Sequence, residues 1–461
     1  MIGFSEGFHD AALSVVNDGK ISFASHSERY TGKKHDKHLG RDLSIIGQLK
    51  SQDKDIIFFE RPLIKKTRQL LAGQYKTVLK PRNLALKPTR YKGHHLSHAA
   101  ATFQTSPYDE AAVVVVDSIG EWDTTSIWKA SINSYGRAVY EKKWQMRYPA
   151  SIGLWYSALT KWAGFRPLDE EYIFMGMAAF GVPCCTEEVR DRLSLNNHRG
   201  VKPLSSRPEN VAKSAEFVLE CEIRKLFNRA SEFSNNICYG GGVALNCVVN
   251  AKMQKEFPNM WIFPNPGDAG GSLGAALLGY GKKVQFSPYL GYEIIHQIDP
   301  KEVVTCLLNN KVAGVANGRA EFGPRALGNR SLLADPREIS TKDLVNTIKQ
   351  RQKFRPFAPA ILEEHCHEYF DMPDCSRYMS YTYQCNLPDA IPACLHVDNS
   401  ARVQTVPETS ESILRPILEC WYERTGCPVL LNTSLNIRGM PMVNDWDDAE
   451  LFAEKYSVDV F

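Results

Sequence analysis

The fold is decided by the stretch Ala112-Val113-Val114-Val115-Val116-Asp117-Ser118-Ile119-Gly120-Glu121. Its run of β-branched side chains predicts a buried strand, because strands covered on both faces are continuously apolar. The acid and the glycine that follow predict a tight polar loop at the end of that strand. A second strand is predicted at 125–129, which makes the stretch one β-loop-β unit.

The N-terminal residues repeat this arrangement. Strands are predicted at 1–4 and 11–16, with the loop Gly7-Phe8-His9-Asp10 between them. The turn Asn17-Asp18-Gly19 predicts a hairpin to a third strand at 21–24, because these residues tolerate positive φ. Two such units predict an internal duplication in an α/β fold. Acidic and glycine-bearing loops on two matching halves are typical of the actin and sugar-kinase superfamily, whose loops face a nucleotide across a cleft.

The composition is that of an ordinary globular protein. The chain has 461 residues, 43% hydrophobic and 23% charged, enough for two or more domains with sizeable cores. A formal net charge of +3 dictates no partner of either sign. Twelve cysteines without paired spacing, apart from the adjacent Cys184 and Cys185, and no apolar signal segment lead us to expect a reduced, cytoplasmic protein. No apolar run approaches the roughly 18 residues of a membrane span, so no membrane partner is expected.

Three histidines stand in the stretch Gly93-His94-His95-Leu96-Ser97-His98-Ala99-Ala100. In a helix, His94 and His98 project from one face one turn apart, a spacing that suits two ligands of one metal ion. Such a pair also fits packing and hydrogen bonding at a helix start, which is its more common use. Asp117, at the end of its predicted strand, would add a carboxylate at the sheet edge where open α/β sheets bind ligands.

Two glycine-rich loops follow later in the chain. Gly240-Gly241-Gly242 lies between a predicted strand and a helix, and Asn246 comes shortly after it. Glycine lets the backbone approach a nucleotide and direct amide N–H groups toward it, although any tight turn also needs glycine. The second loop, 265–274, adds Gly267 and the acid Asp268. Two loops with one acid predict a cleft for a nucleotide and a metal.

A basic segment spans residues 61–92 and holds no Asp or Glu. Its cations are Arg61, Lys65, Lys66, Arg68, Lys76, Lys80, Arg82, Lys87, Arg90 and Lys92. Charge of one sign over that length favours a polyanion, with Tyr75 and Tyr91 available for stacking. A plain basic surface is the alternative.

A break in the pattern at 282–300 predicts the boundary between two domains, 1–285 and 295–461. The second domain has four blocks in which Arg, Lys and polar donors alternate with Gly, Pro and apolar residues. These blocks are 318–331, 349–359, 402–404 and 431–436. Such neighbours bury guanidinium groups, and a buried Arg needs an anion, so the blocks suit a small phosphorylated ligand. Salt bridges to Glu321 and Asp335 are the structural alternative.

Taken together, these residues resemble the O-carbamoyltransferase family that includes nodulation-factor, cephalosporin and aminoglycoside-antibiotic enzymes. The resemblance covers nearly the whole chain, and the block at 318–331 is its most diagnostic part. Its other anchors are His9-Asp10, Lys34-His35-Asp36, the histidines at 94–98, Asp117, the Gly240 loop, Asp268, 354–359 and 432–436. The resemblance implies a duplicated actin-like (ASKHA, ribonuclease H-like) transfer domain, followed by an α/β YrdC-like domain that activates the carbamoyl group.

The resemblance implies an ATP-dependent carbamoyltransferase with two linked reactions. In the YrdC-like domain, carbamoyl phosphate is cleaved and the carbamate attacks ATP, giving carbamoyl-adenylate and pyrophosphate. In the actin-like domain, an acceptor hydroxyl takes the carbamoyl group and AMP leaves. By matching positions, the residues around carbamoyl phosphate are Arg319, Arg325, Lys349, Arg355, Arg402, Asn432 and Ser434. Of these, Lys349 and Arg355 are implied to be catalytic, with Lys353 an alternative to Lys349.

The same resemblance implies a divalent metal, iron or zinc, in addition to the Mg²⁺ that accompanies ATP. The implied metal ligands are His94, His98, Asp117 and Asp268. His9 is implied as the base that deprotonates the acceptor hydroxyl, with His35 as the second candidate. The implied nucleotide-binding residues are Gly240, Gly241, Gly242, Asn246 and Gly267. His95 has no assigned role.

The acceptor of the carbamoyl group stays open between two classes. The family's usual acceptor is a small sugar-like alcohol, whereas the basic segment 61–92 favours a hydroxymethylated pyrimidine, such as 5-hydroxymethylcytosine, in DNA. Because the segment 61–92 is strongly basic, we favour DNA as the acceptor. Ile173-Phe174 stands where the family commonly has a Lys before Met-Gly, which weakens assignments on the acceptor side. The family also suggests a homodimer.

Other classes fit parts of the chain. A tRNA-modifying threonylcarbamoyl transferase is disfavoured because both domains lie in one chain. A non-catalytic actin-like ATP-binding protein would show no carbamoyl phosphate-dependent turnover of ATP. A zinc site on His365, Cys366, His367 and Cys375 matches no standard spacing, so surface or core positions are favoured for these residues.

Overall fold

The structure, a computed structural model, describes residues 1–40, 55–78, 84–373 and 375–461. The chain divides into two compact units. The first consists of Met1–Ser27 with His35–Phe286, and the second of Glu28–Lys34 with Ser287–Phe461. In the described part of the chain, every helix is too short or too polar to cross a membrane.

The first unit contains two five-stranded sheets. The strands of one sheet are β1 (Ile2–Ser5), β2 (Ala12–Asn17), β3 (Lys20–His26), β4 (Ile56–Phe58) and β5 (Arg90–Tyr91). Those of the other are β6 (Glu110–Gly120), β7 (Asp123–Ile132), β8 (Ala138–Arg147), β9 (Ile237–Gly240) and β10 (Met260–Ile262). The stretch 112–121 thus forms most of β6, the central strand of its sheet.

The two sheets have the same topology. Their strand orders are β3-β2-β1-β4-β5 and β8-β7-β6-β9-β10. In each, the first three strands pair antiparallel in a meander, and the last two are added parallel to the first strand. The predicted duplication in an actin-like α/β unit is therefore confirmed.

Helices connect and cover these sheets. They are α1 (Ser27–Thr31), α2 (Pro62–Leu71), α3 (Tyr75–Val78), α4 (His94–Gln104), α5 (Ile152–Trp162), α6 (Glu171–Met177), α7 (Thr186–Asp191), α8 (Pro208–Ser231), α9 (Cys247–Glu256) and α10 (Gly270–Tyr280). Only the first residue of α1 belongs to the first unit. Helix α10 is apolar around most of its circumference and is buried from Gly270 to Leu277, as expected for a helix inside a core. It packs against α4, β1 and β2 and so fixes the position of the histidine helix.

The second unit is a separate α/β domain. Its strands are β11 (Tyr289–Ile294), β12 (Val312–Ala316), β13 (Gly318–Glu321), β14 (Arg330–Ala334), β15 (Ala358–Leu362), β16 (Phe370–Asp371), β17 (Tyr383–Cys385), β18 (Ser400–Ala401), β19 (Gln404–Val406) and β20 (Val429–Ser434). Its helices are α11 (Pro300–Asn310), α12 (Ile339–Ile348), α13 (Cys366–Tyr369), α14 (Leu414–Thr425) and α15 (Trp446–Tyr456). Strand β11 lies in the stretch that the sequence analysis took as the domain boundary, and it pairs with β13.

The central sheet of the second unit has the order β12-β14-β20-β15-β19 and is covered on both faces. Leu333 packs with α11 and α14, including the fully buried Trp421, on one face. Its neighbour Leu332 packs with α12 and α15 on the other, because successive strand residues point to opposite faces. Full burial of each such side chain contributes about 1.5–3 kcal/mol, so this sheet is a rigid support for the loops at its edges.

Candidate active site

Two histidines and two aspartates converge in the first unit. Helix α4 places His94 and His98 one turn apart on the same face, as their spacing predicted. Asp117 lies in β6 where regular pairing with β7 is interrupted, and Asp268 lies just before α10. All four side chains are buried, and one ligand atom from each lies within 4.8 Å of the others.

The distances within this cluster fit a single cation. His94 Nε2 lies 3.0 Å from Asp117 Oδ2 and 3.3 Å from Asp268 Oδ1. His98 Nε2 lies 3.4 Å from Asp268 Oδ1 and 3.1 Å from His94 Nε2. Ligand atoms about 2.1 Å from a shared metal are about 3–3.5 Å from one another, so these separations suit a common ion. Two imidazole nitrogens and two carboxylate oxygens are a donor set that iron and zinc both accept.

The negative charge of the two aspartates also favours a cation in this cluster. Burial acts to lower the pKa of His94, but the carboxylates of Asp268 and Asp117 outweigh it and raise that pKa to about 10. Burial and Asp268 act to raise the pKa of Asp117, but His94 brings it down to about 2. Both carboxylates therefore stay ionised beside the protonated imidazole of His94, and a divalent metal would meet the same need with more charge.

His95 turns away from this cluster. Its Nδ1 is hydrogen-bonded to Ser126 Oγ at 2.8 Å, and its pKa lies well below the usual value because of burial and the nearby charge of His94. The residue is therefore neutral and tied to β7. Gly120 lies directly against both rings: a Cβ added there would be 2.3 Å from His94 Cδ2 and 2.7 Å from His95 Cδ2.

Gly120→Ala is expected to displace His94 and weaken metal binding. The added methyl overlaps the His94 ring, so the helix or the strand must shift, at a cost of about 1–3 kcal/mol of stability. Metal affinity should fall about 10–100-fold, as when the support of a ligand is lost. Metal titration of the purified protein measures this affinity. Gly267→Ala, where no atom lies within 4 Å of the added methyl, is the control for metal content. Equal metal content in both variants would contradict this expectation.

A row of charged groups lies beside the metal-type cluster. His9 donates from Nδ1 to Asp10 Oδ2 at 2.8 Å, and His9 Nε2 faces Asp268 Oδ2 at 3.7 Å. His35 donates from Nδ1 to Asp10 Oδ1 at 2.7 Å and from Nε2 to Asp169 Oδ1 at 2.8 Å. A carboxylate only accepts, so both nitrogens of His35 carry protons in this arrangement. Of the two histidines, His9 is the one whose Nε2 makes no hydrogen bond to a carboxylate of the described residues.

The protonation of this row follows from its contacts. Burial acts to lower the pKa of His9, but the hydrogen bond to Asp10 and the charge of Asp268 outweigh it and raise the pKa. Burial acts to raise the pKa of Asp10, but the bonds from His35 and His9 leave it well below the usual range. Asp169, which also pairs with Arg166 at 2.9 Å, was missed by the sequence analysis. No spacing signal connects it with His35, because the two lie far apart in the chain.

The glycine loop adjoins Asp117. The N–H of Gly242 points to Asp117 Oδ1 at 3.4 Å, and Gly241, at φ 88°, lies where a Cβ would be 2.2 Å from Val116 O. Asn246 caps α9 by accepting the N–H of Val249 at 3.1 Å, so its side-chain oxygen already has a structural task. Gly267 accepts the N–H of Gly270 with its carbonyl, which starts the first turn of α10.

The departure at Ile173-Phe174 has a packing explanation. Both side chains are buried in α6, with 1% and 0% of their surface exposed. The replaced position is therefore a core position in this chain. The set His365, Cys366, His367 and Cys375 does not form a metal-type cluster in the described part of the chain.

In the second unit, Lys349 is the buried lysine. Its Nζ donates to Asn436 O at 2.9 Å, to Asn436 Oδ1 at 3.0 Å, and to the carbonyl and hydroxyl of Ser434. None of these acceptors carries a charge. Burial, followed by the charges of Arg351 and Arg355, lowers the pKa of Lys349 well below its usual value. Lys353, the alternative from the sequence, is exposed. Lys349 thus lies where a bound anion would relieve a concentration of positive charge.

Three further predicted residues lie on or beside neighbouring strands of this sheet. Asn432 Nδ2 donates to Gln404 Oε1 at 2.7 Å and to the carbonyl of Ala326, next to Arg325, at 3.2 Å. Its Oδ1 is buried without a partner among the described residues, and so is Nε of Arg402. Arg319 instead donates to the backbone carbonyls of Leu290 and Gly291, so in this structure it braces β11.

The block at 318–331 also contains residues with purely structural contacts. Arg330 is fully buried and donates to the carbonyls of Tyr292, Asn317, Gly318, Asn329 and Asn444. Glu321 accepts the N–H groups of Leu327, Asn329 and Arg330. Ser331, which the sequence analysis left out of the site, pairs with Ser434 across the sheet, and its hydroxyl is buried without a described partner.

The structure therefore has a duplicated actin-like unit with a metal-type cluster and a second α/β domain. The sequence matches the family described as carbamoyltransferase N-terminus over residues 63–202 and 190–277, and the one described as carbamoyltransferase C-terminus over 304–461. These matches cover most of the chain. The chain belongs to the carbamoyltransferase family, of the type that includes the nodulation proteins, and is a carbamoyltransferase.

Relatives align along nearly the whole chain. A protein of Synechocystis called uncharacterized protein sll1178 is 32% identical over 97% of this chain and 93% of its own length. Nodulation protein NolNO of Sinorhizobium fredii is 29% identical over 96% of this chain and 76% of its own length. The first alignment runs over 578 positions, more than the 461 residues of the chain, so that relative carries insertions that are absent here.

Likeness to solved structures is distant. HypF of T. kodakarensis is 14% identical with a TM-score of 0.33, and the match covers 60% of this chain and 47% of HypF, about half its length. A ParM quadruple mutant is 16% identical with a TM-score of 0.27, covering 49% of this chain and 68% of that one. At these scores the likeness carries no argument, and the fold assignment rests on the strand orders.

Proposed function

We propose that the protein is an ATP-dependent O-carbamoyltransferase that works through carbamoyl-adenylate. Water hydrolyses carbamoyl phosphate to carbamate and inorganic phosphate, a carbamate oxygen attacks the α-phosphorus of ATP, and pyrophosphate leaves. An acceptor hydroxyl then attacks the carbamoyl carbon, and AMP leaves with the adenylate oxygen. The observation that carries the proposal is the buried cluster of His94, His98, Asp117 and Asp268 with His9 beside it.

The second unit is proposed to bind carbamoyl phosphate. Lys349 offers a cation whose present acceptors are all neutral, and Arg355 adds charge nearby. A phosphate dianion would restore the protonated form of Lys349 and give the Nε of Arg402 an acceptor. Carbamate decomposes in water, so buried groups such as Asn432 and Ser434 would also keep solvent away from it.

The first unit is proposed to carry out the transfer. Asp10 orients His9 by accepting its Nδ1–H, which leaves His9 Nε2 to take the proton of the acceptor hydroxyl. His35 is placed to hold Asp10, because Asp10 and Asp169 engage both of its nitrogens, and we therefore propose His9 as the base. A divalent metal held by the four-residue cluster would supply positive charge for nucleotide phosphates and for the developing charge on the leaving group.

His9→Gln is expected to abolish transfer while sparing adenylate formation. Loss of a general base typically costs about 10²–10⁴-fold in rate, and His9 belongs to the first unit, whereas adenylate formation is proposed for the second. Two assays separate the steps: pyrophosphate release that depends on carbamoyl phosphate, and the mass gain of one carbamoyl group on the acceptor. His38→Gln, an exposed histidine of the same region, is the control. If His9→Gln lost both activities equally, the proposed division of labour would be wrong.

The charge argument for a DNA acceptor is weaker than the sequence indicates. Lys80 and Arg82 lie outside the described residues. Three other cations of the segment 61–92 are paired with acids that all lie outside the segment in sequence: Arg61 with Glu121, Lys65 with Glu60, and Arg90 with Asp55. These pairs offset three of the segment's ten positive charges. A hydroxymethylated pyrimidine in DNA is therefore proposed as one acceptor to be tested beside small alcohols.

The decisive experiment combines protein, ATP and carbamoyl phosphate with each acceptor class. Formation of AMP and pyrophosphate that requires carbamoyl phosphate supports the activation step, and a product heavier by one carbamoyl group identifies the acceptor. A non-catalytic ATP-binding protein would show neither. A threonylcarbamoyl product would instead indicate a tRNA-modifying activity.

A further inference from the structure

Helix α2 is turned with its cations inward and its leucines outward. Lys65 and Arg68 are 8% and 7% exposed, whereas Leu63 and Leu71 are 80% and 75% exposed. An amphipathic surface helix normally buries its apolar face against the core. Exposing the leucines and burying the cations both lower the stability of the fold. Fold stability therefore does not explain why the cations of α2 face inward.

The two inward cations differ in their partners. Lys65 donates to both oxygens of Glu60, at 2.8 and 3.1 Å, and is therefore neutralised. Arg68 forms no ion pair with any described residue, and its Nε is buried without an acceptor. Its contact is with the ring of Tyr148, whose centroid lies 5.7 Å from the guanidinium carbon. A buried guanidinium left without an acceptor is rare, since it forgoes strong charged hydrogen bonds.

The surroundings of Arg68 are rich in donors. The His198 ring is perpendicular to that of Tyr148 with centroids 6.3 Å apart, and Asn196 Nδ2 donates to the Tyr148 hydroxyl at 3.3 Å. Both His198 and Asn196 are exposed, so they form the outer side of the cluster. Burial and the charge of Arg68 lower the pKa of His198, as expected where cationic groups meet without an anion. Glu60, the acid that acts on Arg68, is already bound by Lys65.

A chain of contacts connects this cluster with His9. Lys65 Nζ lies 4.9 Å from the centroid of the Phe8 ring, and that ring is 4.5 Å from the ring of His9. Arg68 follows Lys65 by about one turn of α2, which is about 5 Å along the helix axis. Between His9 and Arg68 this chain includes the half-exposed Phe8, whose ring is a surface suited to another ring.

We propose that Arg68, with His198 and Asn196, binds a phosphate group of the acceptor while the acceptor's hydroxyl lies at His9. A guanidinium fork matches two phosphate oxygens, and the anion would supply the acceptor that Arg68 lacks. The substrate class is an alcohol on a ring that also bears a phosphate, either a nucleotide or sugar phosphate or a phosphodiester of a polynucleotide. This inference rests on the proposed function and names its acceptor.

Phosphate binding tests the site without knowledge of the acceptor. Calorimetric titration with inorganic phosphate is made on the full chain carrying Arg355→Gln, which weakens the second unit's proposed site. Adding Arg68→Gln should reduce the remaining affinity at least tenfold, Arg68→Lys should reduce it less, and the exposed Lys76→Gln should leave it unchanged. Affinity within twofold of the Arg355→Gln protein after Arg68→Gln would overturn the proposal.

Thermal unfolding separates this role from a structural one. Because Arg68 lacks a buried partner, Arg68→Gln should leave the melting temperature unchanged or raise it. A lower melting temperature together with unchanged phosphate binding would show that the residue only supports the fold. Pyrophosphate release that depends on carbamoyl phosphate should be normal in Arg68→Gln. Its absence in the unsubstituted protein would instead indicate that the proposed function itself is wrong.

The source of the phosphate is distinguished by three acceptors: 5-hydroxymethylcytidine, its 5′-monophosphate and an oligonucleotide that contains the same base. A KM that rises at least tenfold in Arg68→Gln for the monophosphate alone, with kcat unchanged, indicates a phosphate monoester. A rise for the oligonucleotide alone indicates a phosphodiester, and a rise for both indicates a phosphate that is bound in either form. Equal effects on all three, the nucleoside included, would contradict phosphate recognition.

Discussion

Asp117→Asn is expected to abolish metal binding at the proposed site of His94, His98, Asp117 and Asp268 and to reduce carbamoyl transfer at least about 10³-fold, equivalent to about 4 kcal/mol of transition-state stabilisation. The substitution keeps the shape of the side chain and an oxygen facing Gly242, but it removes one of the two charges that hold a cation between His94 and His98. Metal content by mass spectrometry and the carbamoyl mass gain on the acceptor measure the two effects. Pyrophosphate release, which belongs to the other step, should remain.

Stability provides a second readout. Asp117 and Asp268 repel each other, but His94 outweighs this repulsion and leaves the pKa of Asp117 at about 2, so ionised Asp117 stabilises the metal-free protein. Metal-free Asp117→Asn should therefore melt lower than the metal-free parent, and the further stabilisation that added metal gives the parent should disappear. Glu110→Gln, at the exposed start of the same strand, is the control. Unchanged metal content in Asp117→Asn would exclude the four-residue cluster as the metal site.

Lys349→Met is expected to lower the release of pyrophosphate that depends on carbamoyl phosphate about 10²–10³-fold, the usual cost of removing one preorganised donor. Methionine is similar in length and keeps the position filled, so the loss should reflect charge and hydrogen bonding to the anion. Lys353→Met, four residues along and exposed, should retain activity. Equal losses in both variants would contradict the assignment of Lys349.

The pH dependence of anion binding gives an independent check. Burial and the charges of Arg351 and Arg355 hold the pKa of Lys349 well below its usual value, so the lysine loses its proton at a lower pH than an exposed lysine does. Only the protonated form attracts a phosphate. The affinity for carbamoyl phosphate should therefore fall as pH rises through this lowered pKa, and Lys349→Met should lack that fall.

Local sequence patterns predicted most of the fold. The β-loop-β units at the N-terminus and around residues 112–129 predicted a duplication, and the structure has two sheets of identical order. The hairpin at Asp18 and Gly19, both at positive φ, follows from residues that tolerate that conformation. Strand β11 was not foreseen, because its proline and glycine neighbours are equally typical of a linker and its pairing with β13 is not local.

The candidate site was predictable where its signal was local. His94 and His98 were found by helical spacing and Asp117 by its position at a strand end. The pairs that link distant segments had no such signal: Asp169 with His35, Lys349 with Ser434, and Arg61 with Glu121. The last pair also lowers the net charge of the basic segment by one, and the segment's own sequence gives no sign of it because Glu121 lies outside the segment.

The two sheets of the first unit have the same topology, but the loops that follow their first strands carry different residues. The loop after β1 carries His9, and the loop after the regular part of β6 carries Asp117. If one half arose by copying the other, equivalent loops now carry the histidine that we propose as a proton acceptor and an aspartate that we propose as a cation ligand. A half-length ancestor that paired with itself would have presented identical loops from both sides. Two different loops are available here because both halves lie in one chain, in which each half has its own sequence.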